Sequence, residues 1–147
     1  MDFNSNSNER FRKSVLTTVT DMEQIISTVD EETILLGQTV YQSGTSIDAK
    51  EYCHVIFHKG LYRADASISF IPGMEGNLTA RLLLDGKMLP ASSFTLSVKP
   101  NRYYTFGISV PAFDRAIAPS ENPRLELTIA GVTGIVSRAM LSTTKLA

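Results

Sequence analysis

The 147-residue chain has no tryptophan, one cysteine, two histidines and a formal net charge of −1. Each scarcity removes a class of protein. Cys53 is the single thiol and has no partner for an intrachain disulfide, which argues against a small secreted disulfide scaffold. His54 and His58 are too few for a cupin-like metal centre, where several His and Glu ligands converge. With 14 basic against 15 acidic residues, the cationic excess of a nucleic-acid footprint is missing. No stretch approaches the roughly 18 consecutive apolar residues of a membrane span, so membrane insertion is not expected. The opening tract Met1-Asp2-Phe3-Asn4-Ser5-Asn6-Ser7-Asn8 is polar and lacks the basic and apolar regions of a secretory leader.

Catalytic signatures are equally scarce. The Gly-x-Ser-x-Gly elbow of serine hydrolases is absent. Gly86-Lys87-Met88 lacks the hydroxyl that ends a phosphate-cradling loop. Asp65 and Asp85 are isolated acids rather than a pair. His54 and His58 would share an ion on a helix, but Tyr52 to Phe57 reads as a strand. Four residues along a strand span about 13 Å, too far for one metal ion. Cys53 and His54 would point to opposite faces, so no thiol–imidazole pair forms there. The expectation is a non-enzymatic protein with no cofactor and no metal.

The chain does contain a hydrophobic fraction of 43% and alternation nearly throughout, enough for one packed domain. In Gly60–Ile71, Tyr62, Ala64, Ala66, Ile68 and Phe70 form one row, and Arg63, Asp65, Ser67 and Ser69 the other. Successive strand side chains face opposite ways, so this stretch has an apolar face and a wet face. The same period places strands over 33–42, 45–49, 52–58, 61–71, 77–85, 92–98, 102–110, 123–130 and 133–145. Leu78, Ala80, Leu82 and Leu84 form one apolar row; Tyr104, Phe106, Ile108 and Val110 a second; Leu125, Leu127 and Ile129 a third. Turn residues separate them, among them Gly44, Pro72-Gly73, Asp85-Gly86 and Gly131. Many short strands at regular spacing predict an all-β sandwich or barrel.

Two regions depart from simple alternation. Over residues 9–29, Val15, Val19, Met22, Ile26 and Val29 are spaced 4, 3, 4, 3, the rhythm of a helical seam. The Thr-rich run around Val19 is poor helix material. The expectation is a short N-terminal helix or arm over residues 1–30, as a self-associating stalk or packed on a neighbour, ahead of a domain at 31–147. Elsewhere Leu61 and Ile71, Leu83 and Tyr103 place apolar groups on the row opposite the core. Such residues suggest self-association. Tyr103, Tyr104 and Phe106 read as core plus oligomer contact, since no Lys or Arg interleaves with them.

The segment order, with Gly60-Leu61-Tyr62 opening a strand that ends near Phe70 and Tyr103-Tyr104-Thr105-Phe106 opening another, resembles the jelly roll of the tumour-necrosis-factor and complement C1q superfamily. The resemblance covers roughly 33–147 and implies an antiparallel jelly-roll sandwich that trimerises. The chain has no collagen-like Gly-x-y stalk, and Ala139-Met140-Leu141 stands where that family usually carries Phe-Gly. Those departures point away from cytokine or complement roles and toward the modules of bacteriophage head fibres and spikes. The implied function is a trimeric head-fibre or capsid-decoration protein on the virion surface, assembled in the host cytoplasm. It would be anchored to a capsid or other virion protein through residues 1–30. The expected trimer contacts are Leu61, Tyr62, Tyr103 and Phe106. The alternative is a receptor- or carbohydrate-binding module of a tail spike or cell-surface filament, with a cell-surface glycan as its partner.

Overall fold

β-branched and aromatic residues alternating with polar ones favour a pleated, half-buried backbone, and the chain is built almost wholly of such segments. A computed structural model describes residues 13–147 and places twelve strands there. They are β1 (Val15–Thr20), β2 (Gln24–Ile26), β3 (Glu32–Thr33), β4 (Gln38–Ser43), β5 (Ile47–Ala49) and β6 (Cys53–Ile56). β7 (Leu61–Pro72), β8 (Gly76–Leu84), β9 (Lys87–Val98), β10 (Tyr104–Asp114), β11 (Arg124–Ala130) and β12 (Gly134–Lys145) follow. A 3₁₀ turn at Arg115–Ile117 is the sole helical element among the described residues.

The strands form two antiparallel sheets. One runs β10-β7-β12-β1-β4, with β2 beside β12; the other runs β5-β6-β11-β8-β9, with β3 beside β11. The inward rows meet between them. Tyr62, Ala64, Ala66, Ile68 and Phe70 of β7 face Leu78, Ala80, Leu82 and Leu84 of β8 and Leu125, Leu127 and Ile129 of β11 in one buried cluster. The four apolar rows read from the sequence are the core, although Tyr104 at the rim is only partly buried. Two glycines mark close approaches. Gly131 has φ +102, and a Cβ there would collide with the Asn77 carbonyl; one at Gly60, φ +147, would meet the Ala147 carbonyl.

The helical seam expected over 9–29 does not form in residues 13–29. Val15–Thr20 is an interior strand, paired with β12 on one side and β4 on the other. Val15, Thr17 and Val19 face outward while Leu16, Thr18 and Thr20 are buried. A run of Val and Thr loses little by being extended, and two flanking ladders outweigh a weak helical rhythm. Val15 and Val19 still share a face, because a spacing of four is even. Ile26 goes into the core, whereas Met22 and Val29 stay exposed, so the five residues make no continuous seam. The division at residue 30 therefore does not separate arm from sheet, since β1 and β2 are strands of the same sheet as β12. The expected adapter at residues 1–8 lies outside the described residues.

Polar ties cross the sandwich. The Gln24 amide accepts from the Leu35 N–H at 2.8 Å and donates to the Leu35 carbonyl at 3.0 Å, standing in for a missing strand partner. The buried Arg115 guanidinium donates to the carbonyls of Ile56, Ser120 and Glu121, tying the 115–123 loop to β6.

Candidate functional site: the outward face of one sheet

The outward face of the β10-β7-β12-β1-β4 sheet is built by pairing register. At one end Ile25 of β2 stands opposite Ile135 of β12, which stands opposite Ile71 of β7. Tyr103 precedes β10, whose first residue, Tyr104, pairs with Phe70, so its ring extends the isoleucine row by one strand. Ile25 is 77% exposed, Tyr103 63%, and Met22 in the adjoining turn 78%. The hydroxyls of Ser69 and Ser137 hold the Tyr103 phenol pKa below the ordinary tyrosine value. Two levels further along, Val19 and Met140 pair on the same face.

The other end of this face carries polar groups that satisfy one another, although the row there continues across Thr17 to an exposed Tyr41. The Asp65 carboxylate accepts from the Arg63 guanidinium at 2.9 Å and from the Ser109 hydroxyl at 2.7 Å. Thr17 and Ser142 hydroxyls bond each other across β1 and β12 at 2.9 Å. Leu61 lies at this end, ten residues along β7 from Ile71, or about 33 Å away at the usual rise.

Of the expected contact set, the fold leaves Leu61 and Tyr103 on the surface and takes Tyr62 and Phe106 inside. Tyr62 is fully buried, donates to the His58 carbonyl at 2.6 Å, and stacks on Phe113 at 6.1 Å. Burial pushes the Tyr62 hydroxyl pKa up to about 12. Phe106 stacks on Phe94 at 5.0 Å across the sandwich. Both residues sit at even positions of inward rows, so alternation places them inside. Ile25, Ile135 and Met140 were missed as face residues. Ile135 and Met140 have opposite parity and share a face only through the bulge between Val136 and Arg138, and β2 had no strand signal of its own.

Cys53 and His54 lie on opposite faces of β6. His54 is buried, with Nε2 2.8 Å from the Thr18 hydroxyl and Nδ1 2.8 Å from the Thr143 hydroxyl. It thus ties β6 to β1 and β12 of the other sheet. Desolvation lowers its pKa from the ordinary 6.5 to about 3, so the imidazole is neutral at physiological pH. Cys53 faces outward under cover; burial raises its thiol pKa, with Arg124 opposing, and a protonated buried thiol is a poor nucleophile. His58 bonds the Ser46 hydroxyl at 3.0 Å. Among the described residues no cluster of His, Cys, Asp and Glu has metal-binding geometry, and no helix is long and apolar enough to cross a membrane.

No protein-family model matches the chain, and no curated protein sequence does. Solved structures do. Murine APRIL at pH 5.0 superposes with a TM-score of 0.72 at 14% identity, over 92% of this chain and 100% of that one. The PRD1 vertex protein P5 matches with a TM-score of 0.57 at 13% identity, over 91% and 97%. The globular domain of zebrafish complement 1qA matches with a TM-score of 0.59 at 7% identity, over 92% and 98%. The fold is the jelly roll of the tumour-necrosis-factor and C1q type, shared with a phage vertex protein.

Proposed function

We propose that the protein is a non-enzymatic virion structural protein: a homotrimeric knob of the head-fibre or capsid-decoration kind, on the virion surface. The observation that carries this reading is the apolar Ile25–Ile135–Ile71–Tyr103 row, exposed at Ile25 and Tyr103 and half-buried at Ile135 and Ile71. Water contact with that row is unfavourable by about 25 cal/mol for each Å² of apolar surface, and a closed threefold assembly removes it. The likeness in fold to a phage vertex protein supports the virion setting. Light scattering at micromolar concentration tests the trimer. The expected mass is three times the 16.1 kDa chain, and a monomer mass overturns the reading.

Anchoring to the capsid or another virion protein falls to the stretch ahead of Val15, because residues 15–26 contribute strands to the sheet. Deleting residues 1–12 should leave a folded knob that no longer enters particles. Retained incorporation refutes the anchoring role. Deleting residues 1–30 should instead abolish folding, since it removes β1 from between β12 and β4.

A further inference from the structure

The opposite outward face, that of the β5-β6-β11-β8-β9 sheet, carries a cleft of about 490 Å³. Its floor is β11, where Arg124 and Glu126 alternate outward beside Cys53 of β6. Its rim is the Lys50–Cys53 turn, closed by reciprocal backbone bonds: Lys50 N–H to the Cys53 carbonyl at 2.8 Å, and Cys53 N–H to the Lys50 carbonyl at 3.3 Å. That closure presents Tyr52 at the cleft, 48% exposed, from a fixed backbone. On the far side Thr33 of β3 donates to the Glu126 carboxylate at 2.9 Å and orients it.

The lining is balanced. Lys50 and Arg124 supply cationic donors, and neither is ion-paired among the described residues. Glu51 and Glu126 supply anionic acceptors, so the four charges cancel and no field selects an ion. A ligand that suits this set must donate and accept together and offer an apolar face to a phenol ring. Hydroxyls both donate and accept, and the C–H face of a pyranose packs on aromatic rings. We infer that the Tyr52–Arg124–Glu126 cleft is a binding site for an uncharged pyranose, with Tyr52 as platform and Arg124 and Glu126 as hydroxyl partners.

The site lies within one protomer, so it stands independently of the trimer. If the sheet face described above mediates assembly, three such clefts point outward on one knob, and a polymeric glycan would engage them with avidity. The test uses the full chain, isotope-labelled, titrated with methyl pyranosides of the common hexoses and N-acetylhexosamines, and separately with glucuronate and inorganic phosphate. At least one neutral pyranoside should saturably shift the amides of residues 50–53 and 124–126, with a Kd of about 1–10 mM. Tyr52→Ala should weaken that binding at least about tenfold, and Glu126→Gln likewise, with the remaining spectrum unchanged. No shift by any neutral pyranoside at 50-fold or greater excess overturns the inference. Binding of glucuronate or phosphate alone also overturns it, as does unaltered affinity in Tyr52→Ala.

Discussion

The two ends of the β10-β7-β12-β1-β4 face share one set of ladders, with the phase of β12 reset by a bulge between Val136 and Arg138, yet they differ in what they leave unfinished. At the polar end Asp65, Arg63 and Ser109 satisfy one another, as do Thr17 and Ser142. Polar groups that are already paired gain little from a partner protein. At the apolar end Ile25 and Tyr103 are exposed and Ile71 and Ile135 half-buried, and the surface they leave open is apolar, with no polar pairing to satisfy it. The contrast shows that burial within one chain does not mark an interface; the end whose surface has no internal remedy does.

Four experiments sharpen or break that contrast. The largest effect lies just beneath it. Phe70 is Ile71's neighbour on β7 but points inward and is fully buried. Phe70→Ala should cost about 3–5 kcal/mol of folding stability, read from the urea midpoint, because it opens a cavity in the core. Ile71→Asp should leave that midpoint nearly unchanged but raise the concentration for half-assembly by about 100-fold. Unaltered mass by light scattering in Ile71→Asp would place the trimer contact elsewhere.

The third effect is pH dependence through His54, which ties the two sheets. Its folded pKa is about 3 and its unfolded value 6.5. Between those values the unfolded chain binds the proton and the folded chain does not, so stability falls as pH drops below 6.5 and continues to fall toward 3. From pH 7.5 to pH 5 the loss is about 2 kcal/mol at 1.36 kcal/mol per unit. Urea unfolding at both values, with His54→Gln as the comparison, checks it; an equal pH slope in the variant refutes the assignment. The smallest effect belongs to the polar end. Asp65→Asn removes an exposed ion pair, so assembly should stay within error of the unaltered protein.

Much of the fold was legible in residue order. Eight strands from β5 to β12 fall where alternation and turn residues place them, whereas the strand expected over 33–42 divides into β3 and β4 of different sheets; the inward rows of β7, β8 and β11 were read position by position. The boundaries that moved are informative. β9 starts at Lys87 rather than 92, because Gly86 supplies φ +78 for a tight turn and the strand resumes at once. Two features of the candidate sites were not legible. The N-terminal row looked helical because spacings of four fit either period, and only pairing with β12, more than a hundred residues away, decides between them. The cleft joins residues 50–53 to Arg124 and Glu126, which are ordinary surface residues in sequence and neighbours only through β6–β11 pairing.

By itself the sequence determined what each strand turns inward, because the period of two is local chemistry expressed one residue at a time. It also determined the poverty of catalytic and metal-binding groups, which composition alone reveals. Only the tertiary structure decided that Val15–Thr20 is a strand and that Ile25 completes a row with Ile135 and Ile71. Those outcomes depend on long-range ladders whose hydrogen bonds and packed faces outweigh weak local preference.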